Sequence, residues 1–240
     1  MAGITAILTP LFGFYNTVFQ PLLLMGPYVS LGFFSLALAA LFSVLYWWLL
    51  DIERADEIKD KLDDYQEKMK EARENDEHEK ASDHLKKTLE LNQKFMKLNL
   101  KPMLATMVFV GLFFPWLGSV YAPTVQMNQT GNATYQGMME YAGQEAQITV
   151  KNTSQGLRVI SGETSGGLKE EISAFSMRWQ VVKFSTVEVD EYDASLKLNA
   201  EFLKLPFSIP LVGGALNWLG FYILIVMPLT YVFRKLLGVQ

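Results

Sequence analysis

His78 and His84 are the only imidazoles in the chain, and there is no cysteine. That leaves almost nothing for acid–base work near neutral pH, and no thiol nucleophile, disulfide or thiolate metal site. Both histidines sit among Glu, Lys and Asp in a stretch that reads as solvated helix. No P-loop, dinucleotide fingerprint, metal-ligand spacing or nucleophile beside a base occurs. The expectation is no catalytic residue, no metal site, no cofactor and no enzyme.

The residues that can do work are polar groups inside apolar stretches. Ser30, Ser35 and Ser43 fall on the first, and Met103, Thr106 and Met107 on the second, beside Gly111 and Gly118. Asn217 and Tyr231 fall on the third, on one helical stripe with Gly213, Gly220 and Leu224. Two readings stay open. Small residues let membrane helices approach, and Ser or Asn bond across them for about 1 kcal/mol. Alternatively, these groups line a partly hydrated groove open to cytosol and lipid, where a half-polar segment can slide at reduced desolvation cost. Flexible methionines suit varied apolar partners and equally suit a helical seam. A different chemistry is offered by Asn128, Asn132 and Asn152, each in an N-glycosylation sequon.

The elements that must position these groups follow from charge. Half of the 240 residues are hydrophobic, and residues 1–50, 102–139 and 205–233 contain no Asp, Glu, Lys or Arg. About 20 apolar residues span the hydrocarbon layer of a bilayer, so each region can hold a membrane helix. The change is abrupt in "WWLLDIERADEIKDKLDDY", where charge begins at Asp51. The sequence predicts an α-helical membrane protein with three transmembrane helices, a cytoplasmic antiparallel coiled-coil hairpin and a small extracellular β-rich insert. Its parts are an interfacial amphipathic segment (1–27), the first span (28–50), the hairpin (51–101), the second span (102–122), the insert (123–206), and the third span with a short tail (207–240). The first segment is not expected to be a cleaved signal, since it lacks a basic n-region.

The hairpin follows from Ile52, Ala55, Ile58, Leu62, Tyr65, Met69 and Ala72 recurring at threes and fours, then Ala81, Leu85, Thr88, Leu91 or Asn92, Phe95 and Leu98. Asn75 is the expected left-handed turn residue. The charged arm is expected to be the first span continuing out of the bilayer. In the insert, "QITVK", "LRVI" and "MRWQVVKFSTVEVD" alternate as strands, and "SGETSGG" reads as a turn. Lys and Arg flank the hairpin side of the spans, including Arg54, Lys59, Lys61 and Lys101, with Arg234 and Lys235 in the tail. The positive-inside rule puts hairpin and C-terminus in the cytoplasm of a multi-pass cell-membrane protein, with the N-terminus and residues 123–206 outside. All three sequons fall on that outer side.

The order of "LTPLFGFYNTVFQPLLLMGP", the first span, the charged hairpin ending "FMKLNLKPM", the second span, the insert and the third span resembles archaeal membrane proteins of the YidC/Oxa-type insertase superfamily. Eukaryotic Get-pathway and ER-membrane-complex insertase subunits share that core. The resemblance covers residues 5–122 and 207–237. It implies a membrane protein insertase or chaperone whose cytosol-open polar groove receives nascent or tail segments, with the coiled coil engaging a ribosome or targeting factor. Nascent membrane proteins, the bilayer and additional membrane subunits are the implied partners; no specific nucleic acid sequence is. Bacterial relatives carry a basic groove residue, whereas residues 1–50 and the other spans contain no Lys or Arg, so groove hydration is expected from Ser, Thr and Asn. Two other readings are a receptor-like sensor, with an outer ligand-binding lobe and a relaying coiled coil, and an ion channel subunit. The charge-free spans argue against the last.

Overall fold

The computed structural model describes residues 2–154, 156–186, 192–209 and 213–238. It divides into two compact units, Met1–Leu36 with Leu112–Val226, and Ala37–Gly111 with Met227–Gln240. Five helices occur among the described residues: α1 (Ala2–Leu23), α2 (Pro27–Leu49), α3 (Ile52–Glu74), α4 (His78–Tyr121) and α5 (Trp218–Leu236). Of these, α2, α4 and α5 are long and apolar enough to cross a membrane.

The first span does not run on into the charged arm. Helix α2 stops at Leu49, and Asp51 takes an extended conformation whose carboxylate accepts the Arg54 N–H at 3.2 Å. An aspartate here satisfies one of the first free N–H groups of α3, so the helix restarts. The second arm behaves oppositely. Helix α4 is a single rod of 44 residues that carries the hairpin arm and the second span through Pro102 and Pro115.

In the second unit α3 packs antiparallel on the early turns of α4. Ile58, Leu62 and Leu91 form its core, with Tyr65, Phe95 and Leu98 against them. Ala55, Ala72, Ala81 and Thr88 complete the buried seam. Leu85, expected in that seam, is 40% exposed, and the half-buried His84 holds the position instead, its ring 5.8 Å from that of Tyr65. The left-handed residue of the turn is Asp76 (φ 58°), one past the expected Asn75, which has φ −94°.

The expected fold class is overturned in the first unit. Residues 124–217 do not form a small insert on an α-helical protein. Their strands are β1 (Thr124–Gly131), β2 (Thr134–Tyr141), β3 (Gln144–Thr153), β4 (Gly156–Ser161), β5 (Thr164–Gly166), β6 (Glu171–Ala174), β7 (Met177–Ser185), β8 (Ala194–Ile209) and β9 (Gly213–Asn217). They make one antiparallel sheet ordered β5-β4-β3-β2-β1-β8-β7-β6, with β9 paired to β8. Its ends meet. Thr164 Oγ1 of β5 accepts the Ser173 N–H of β6 at 2.9 Å, which leaves the sheet barrel-like and nearly closed. Closure removes the unpaired edges that a flat sheet of this width would expose. Alternation supplies the core: Met127, Ile148, Trp179, Val181, Leu196 and Leu198 are buried, while Arg178, Gln180 and Lys197 lie between them on the other face. The strand β9 also takes residues expected in the third span, which starts at Trp218.

The same unit ties helices to sheet. Trp116 Nε1 donates to Asn16 Oδ1 at 2.7 Å, and the rings of Phe19, Phe34 and Phe113 all lie within 6 Å of one another or of Trp116. Tyr121, fully buried, bonds Ser30 Oγ at 2.7 Å and lies edge-on to Phe202 of β8.

A close approach inside the lobe is testable. A Cβ on Gly137 of β2 would stand 2.3 Å from the Gln126 carbonyl oxygen, whereas one on Gly131 meets only Thr134, at 3.7 Å. Gly137→Ala is expected to destabilise the lobe by about 2 kcal/mol or more, as overpacking does. Gly131→Ala should be near neutral, and limited proteolysis of the lobe in purified protein checks the contrast.

Candidate functional site

The charge boundaries of the three apolar helices converge within the second unit. Leu50 follows α2, Asn99 precedes Lys101 on α4, and Arg234 lies in the last turns of α5; all three line one cavity of about 470 Å³. Tyr46, Ala55, Lys59, Phe95, Tyr231 and Lys235 complete its wall. None of the described residues that line it is acidic. The guanidinium of Arg234 stands 4.0 Å over the Tyr46 ring, and Lys59 Nζ stands 5.9 Å from the Phe95 ring centre. A cation over an aromatic face gains about 0.5–2 kcal/mol, more as water is excluded. The Arg234 Nε is buried and has no hydrogen-bond partner among the described residues. Lys59 also lies 3.9 Å from Asp56, a long exposed pair. Asn99 Nδ2 donates to the Phe95 carbonyl at 2.9 Å, leaving its amide oxygen for other partners. The arrangement can attract and hold an anion at the edge of an apolar surface.

The expected groove residues are dispersed. Ser30, Ser35 and Ser43 are fully buried, and each hydroxyl donates to a carbonyl three or four residues back: Ser30 to those of Pro27 and of Gly26 just ahead of α2, Ser35 to that of Leu31 and Ser43 to that of Ala39. Ser30 also meets Tyr121. Met103, Thr106 and Met107 lie on the outer side of α4, with Met107 68% exposed and the Thr106 hydroxyl bonded to the Met103 carbonyl at 2.9 Å. Asn217 is not within a helix. It ends β9, and its Oδ1 accepts the Gly220 N–H at 2.9 Å, capping α5. Of the eight, Tyr231 alone lines the basic cavity. In the sequence Arg234 and Lys59 are marked only as charges near a membrane face; their nearness to a charge boundary is the signal for a site.

Asn128, Asn132 and Asn152 are exposed. Asn132 sits in the β1–β2 turn and Asn152 bonds its N–H to the Ala133 carbonyl at 2.8 Å, so the three gather at the end of the sheet remote from the α4–β1 junction.

A second polar hollow, about 310 Å³, lies on the outer face of β6 to β9. Register places Glu171 opposite Gln180, Gln180 opposite Asn199, and Glu201 opposite Asn217. Lys204 Nζ meets Glu171 Oε1 at 2.7 Å. Glu201 is 6% exposed, and neither its Oε2 nor Asn199 Oδ1 has a partner among the described residues. Burial, then the Glu171 carboxylate, raises the Glu201 carboxyl above its usual range, while the Lys204 bond holds Glu171 below it.

These features define an integral membrane protein with three apolar helices, a polar helical hairpin and a nearly closed β lobe. A family model described as integral membrane protein EMC3/TMCO1-like matches residues 14–150, more than half of the chain. The chain belongs to that family, which is related to the Oxa1/YidC/Alb3 insertase superfamily. No curated protein and no solved structure matches it.

The raised Glu201 carboxyl fixes a pH dependence. A raised folded pKa contributes stability that is complete below the unfolded value and is lost as pH climbs through the folded one. Glu201→Gln cannot ionise, so its melting temperature should exceed that of the unsubstituted protein at about pH 8, and the gap should close near pH 4. Thermal melts of both proteins at the two pH values check this.

Proposed function

We propose that this protein is a membrane protein insertase of the archaeal YidC-like kind, which passes weakly polar nascent or tail segments from the cytosol into the bilayer. The observation that carries the proposal is the basic, aromatic-walled cavity set where three membrane helices meet charge, in a chain whose family is related to insertases. The hairpin and the end of α5 face the cytoplasm, in keeping with the Lys and Arg flanking them, and the lobe with its sequons faces outward. Ribosomes or a targeting factor engage the hairpin, and further membrane subunits can complete the surface.

The mechanism is a lowering of transfer cost. A charged group at the bilayer centre costs about 2.5–3.5 kcal/mol even on insertion scales. A segment entering beside α4 and α5 lays its apolar side on exposed Met103, Met107 and Met227 and keeps its polar end at the cavity. Arg234 supplies there the basic group that the span interiors lack, drawing acidic flanks of the client to the membrane face. The chain needs no covalent step for this.

Photo-crosslinkers at Met107 and Tyr231 should capture ribosome-bound membrane segments, and one at the buried Ser35 should stay silent. Absence of adducts from both exposed positions would falsify the path.

The receptor-like reading retains one supporting observation, the polar hollow around Glu201 and Asn199. Glu201→Gln separates the two. Insertion in cells should persist at the unsubstituted level if the protein is an insertase, and the function should fail if ligand binding in the lobe drives it.

A further inference from the structure

The polar hollow on the outer face of β6 to β9 carries chemistry that the passage of a client does not use. Register lays two rows of polar side chains across it. One runs Glu171, Gln180, Asn199 and the other Arg178, Glu201, Asn217, over strands about 4.8 Å apart. The two cations Lys204 and Arg178 both reach Glu171, at 2.7 and 3.8 Å. Glu201 is left with no ion pair among the described residues, although it is only 6% exposed. Its Oε2 and the Asn199 Oδ1 belong to the wall of the hollow and have no hydrogen-bond partner there. A carboxylate withdrawn from water is kept at low cost only with a counter-charge and with bonded oxygens. Burial and the Glu171 carboxylate raise the Glu201 carboxyl, as happens where that counter-charge is missing.

The two orphan oxygens specify the missing group. An amide oxygen and a carboxylate oxygen both accept hydrogen bonds. They lie two residues apart on β8 and share one face of the strand, about 6.6 Å apart at Cα. A hydroxyl seated between them has one proton and serves one of them. An ammonium has three N–H groups and a positive charge, and its bonds to a carboxylate are of the stronger, charge-assisted kind. A metal ion fits less well. No group of three or more acidic or imidazole side chains suited to a metal occurs among the described residues, and Lys204 and Arg178 repel a cation that cannot also donate hydrogen bonds. There is room for more than the ammonium. The hollow measures about 310 Å³, its β9 wall includes the small Gly214 and Ala215, and a Cβ on Gly214 would meet nothing within 4 Å.

We infer that the hollow binds a small ligand headed by a primary ammonium, which donates to Glu201 Oε2 and Asn199 Oδ1. The inference rests on the lobe alone and holds whether or not the chain inserts clients.

The test titrates the full chain in detergent with matched probes, followed by isothermal titration calorimetry. Ethanolamine carries the ammonium, ethylene glycol replaces it with a hydroxyl, and choline keeps the charge but has no N–H donor. Ethanolamine should bind about tenfold or more tightly than either of the others. Glu201→Gln and Asn199→Leu should each weaken its binding about tenfold. Glu145→Gln, at an exposed position of β3 outside the hollow, should leave it unchanged. The same ammonium occurs on a lipid headgroup. Phosphatidylethanolamine binding more tightly than free ethanolamine, with phosphatidylcholine silent, assigns that source and keeps the two contacts. Choline binding as well as ethanolamine overturns the inference, because charge alone then decides, and equal binding of ethylene glycol overturns it in favour of a hydroxyl site. Displacement of ethanolamine by micromolar calcium marks a metal site and is equally contrary. No heat from any probe at tens of millimolar leaves a hollow filled by water, and the inference falls. Probe selectivity is read on the unsubstituted protein, so misfolding of a variant cannot mask the answer.

Discussion

A hydrocarbon layer excludes charge, and that exclusion organises the second unit. Each of the three apolar helices must be free of ionisable groups over about 30 Å and regain them where the layer ends. Those ends meet. Leu50, Asn99 and Arg234 line the same cavity although they come from widely separated parts of the chain. Basic side chains collect where the charge-free runs of three helices end, and the Tyr46 ring lessens the desolvation cost to Arg234. The proposed receipt of clients draws on this gathering of charge.

The two helix-to-hairpin junctions solve one problem in opposite ways. On the first arm the chain breaks, and the Asp51 carboxylate caps the new helix. On the second it continues through Pro102 in a single rod. Proline removes one backbone donor and crowds the preceding turn, at a cost near 3 kcal/mol in a soluble helix. Membrane helices tolerate it when neighbours satisfy the freed carbonyl. Helix α4 is continuous from the hairpin arm into the second span, whereas α2 ends at Leu49 and α3 begins anew at Ile52.

Much of this was legible in the sequence. Charge boundaries placed both ends of helix α2 and the last residue of α4 to within a residue or so, while the start of the second span has no counterpart because α4 runs on from the hairpin arm. The seam of the hairpin was readable from Ile58, Leu62, Leu91 and Phe95, since helical periodicity is local. Errors arose where the outcome depends on distant partners. His84 displaced Leu85 because Tyr65 was there to receive its ring. The strands "QITVK" and "LRVI" were visible, but their order and the near closure through Thr164 and Ser173 depend on pairing far apart in sequence. The end of "MRWQVVKFSTVEVD" beyond residue 186 lies outside the described residues. Asn217 looked like a polar residue inside a helix because the apolar run hides the strand β9 before Trp218. The serines looked available, yet their hydroxyls bond to their own helix, a choice that side-chain type alone does not reveal. Arg234 reads in the sequence as an end marker, because nothing nearby announces that Tyr46 lies beneath it.

Everything functional turns on whether this chain lowers the barrier for a membrane segment. Purified protein in sealed vesicles, offered a ribosome-released client with one weakly polar terminal segment, measures that directly through protection of the client from added protease. The account predicts protection well above that in empty vesicles, and a several-fold loss of it with Arg234→Glu. Protection no greater than in empty vesicles, with the protein correctly folded and oriented, contradicts it.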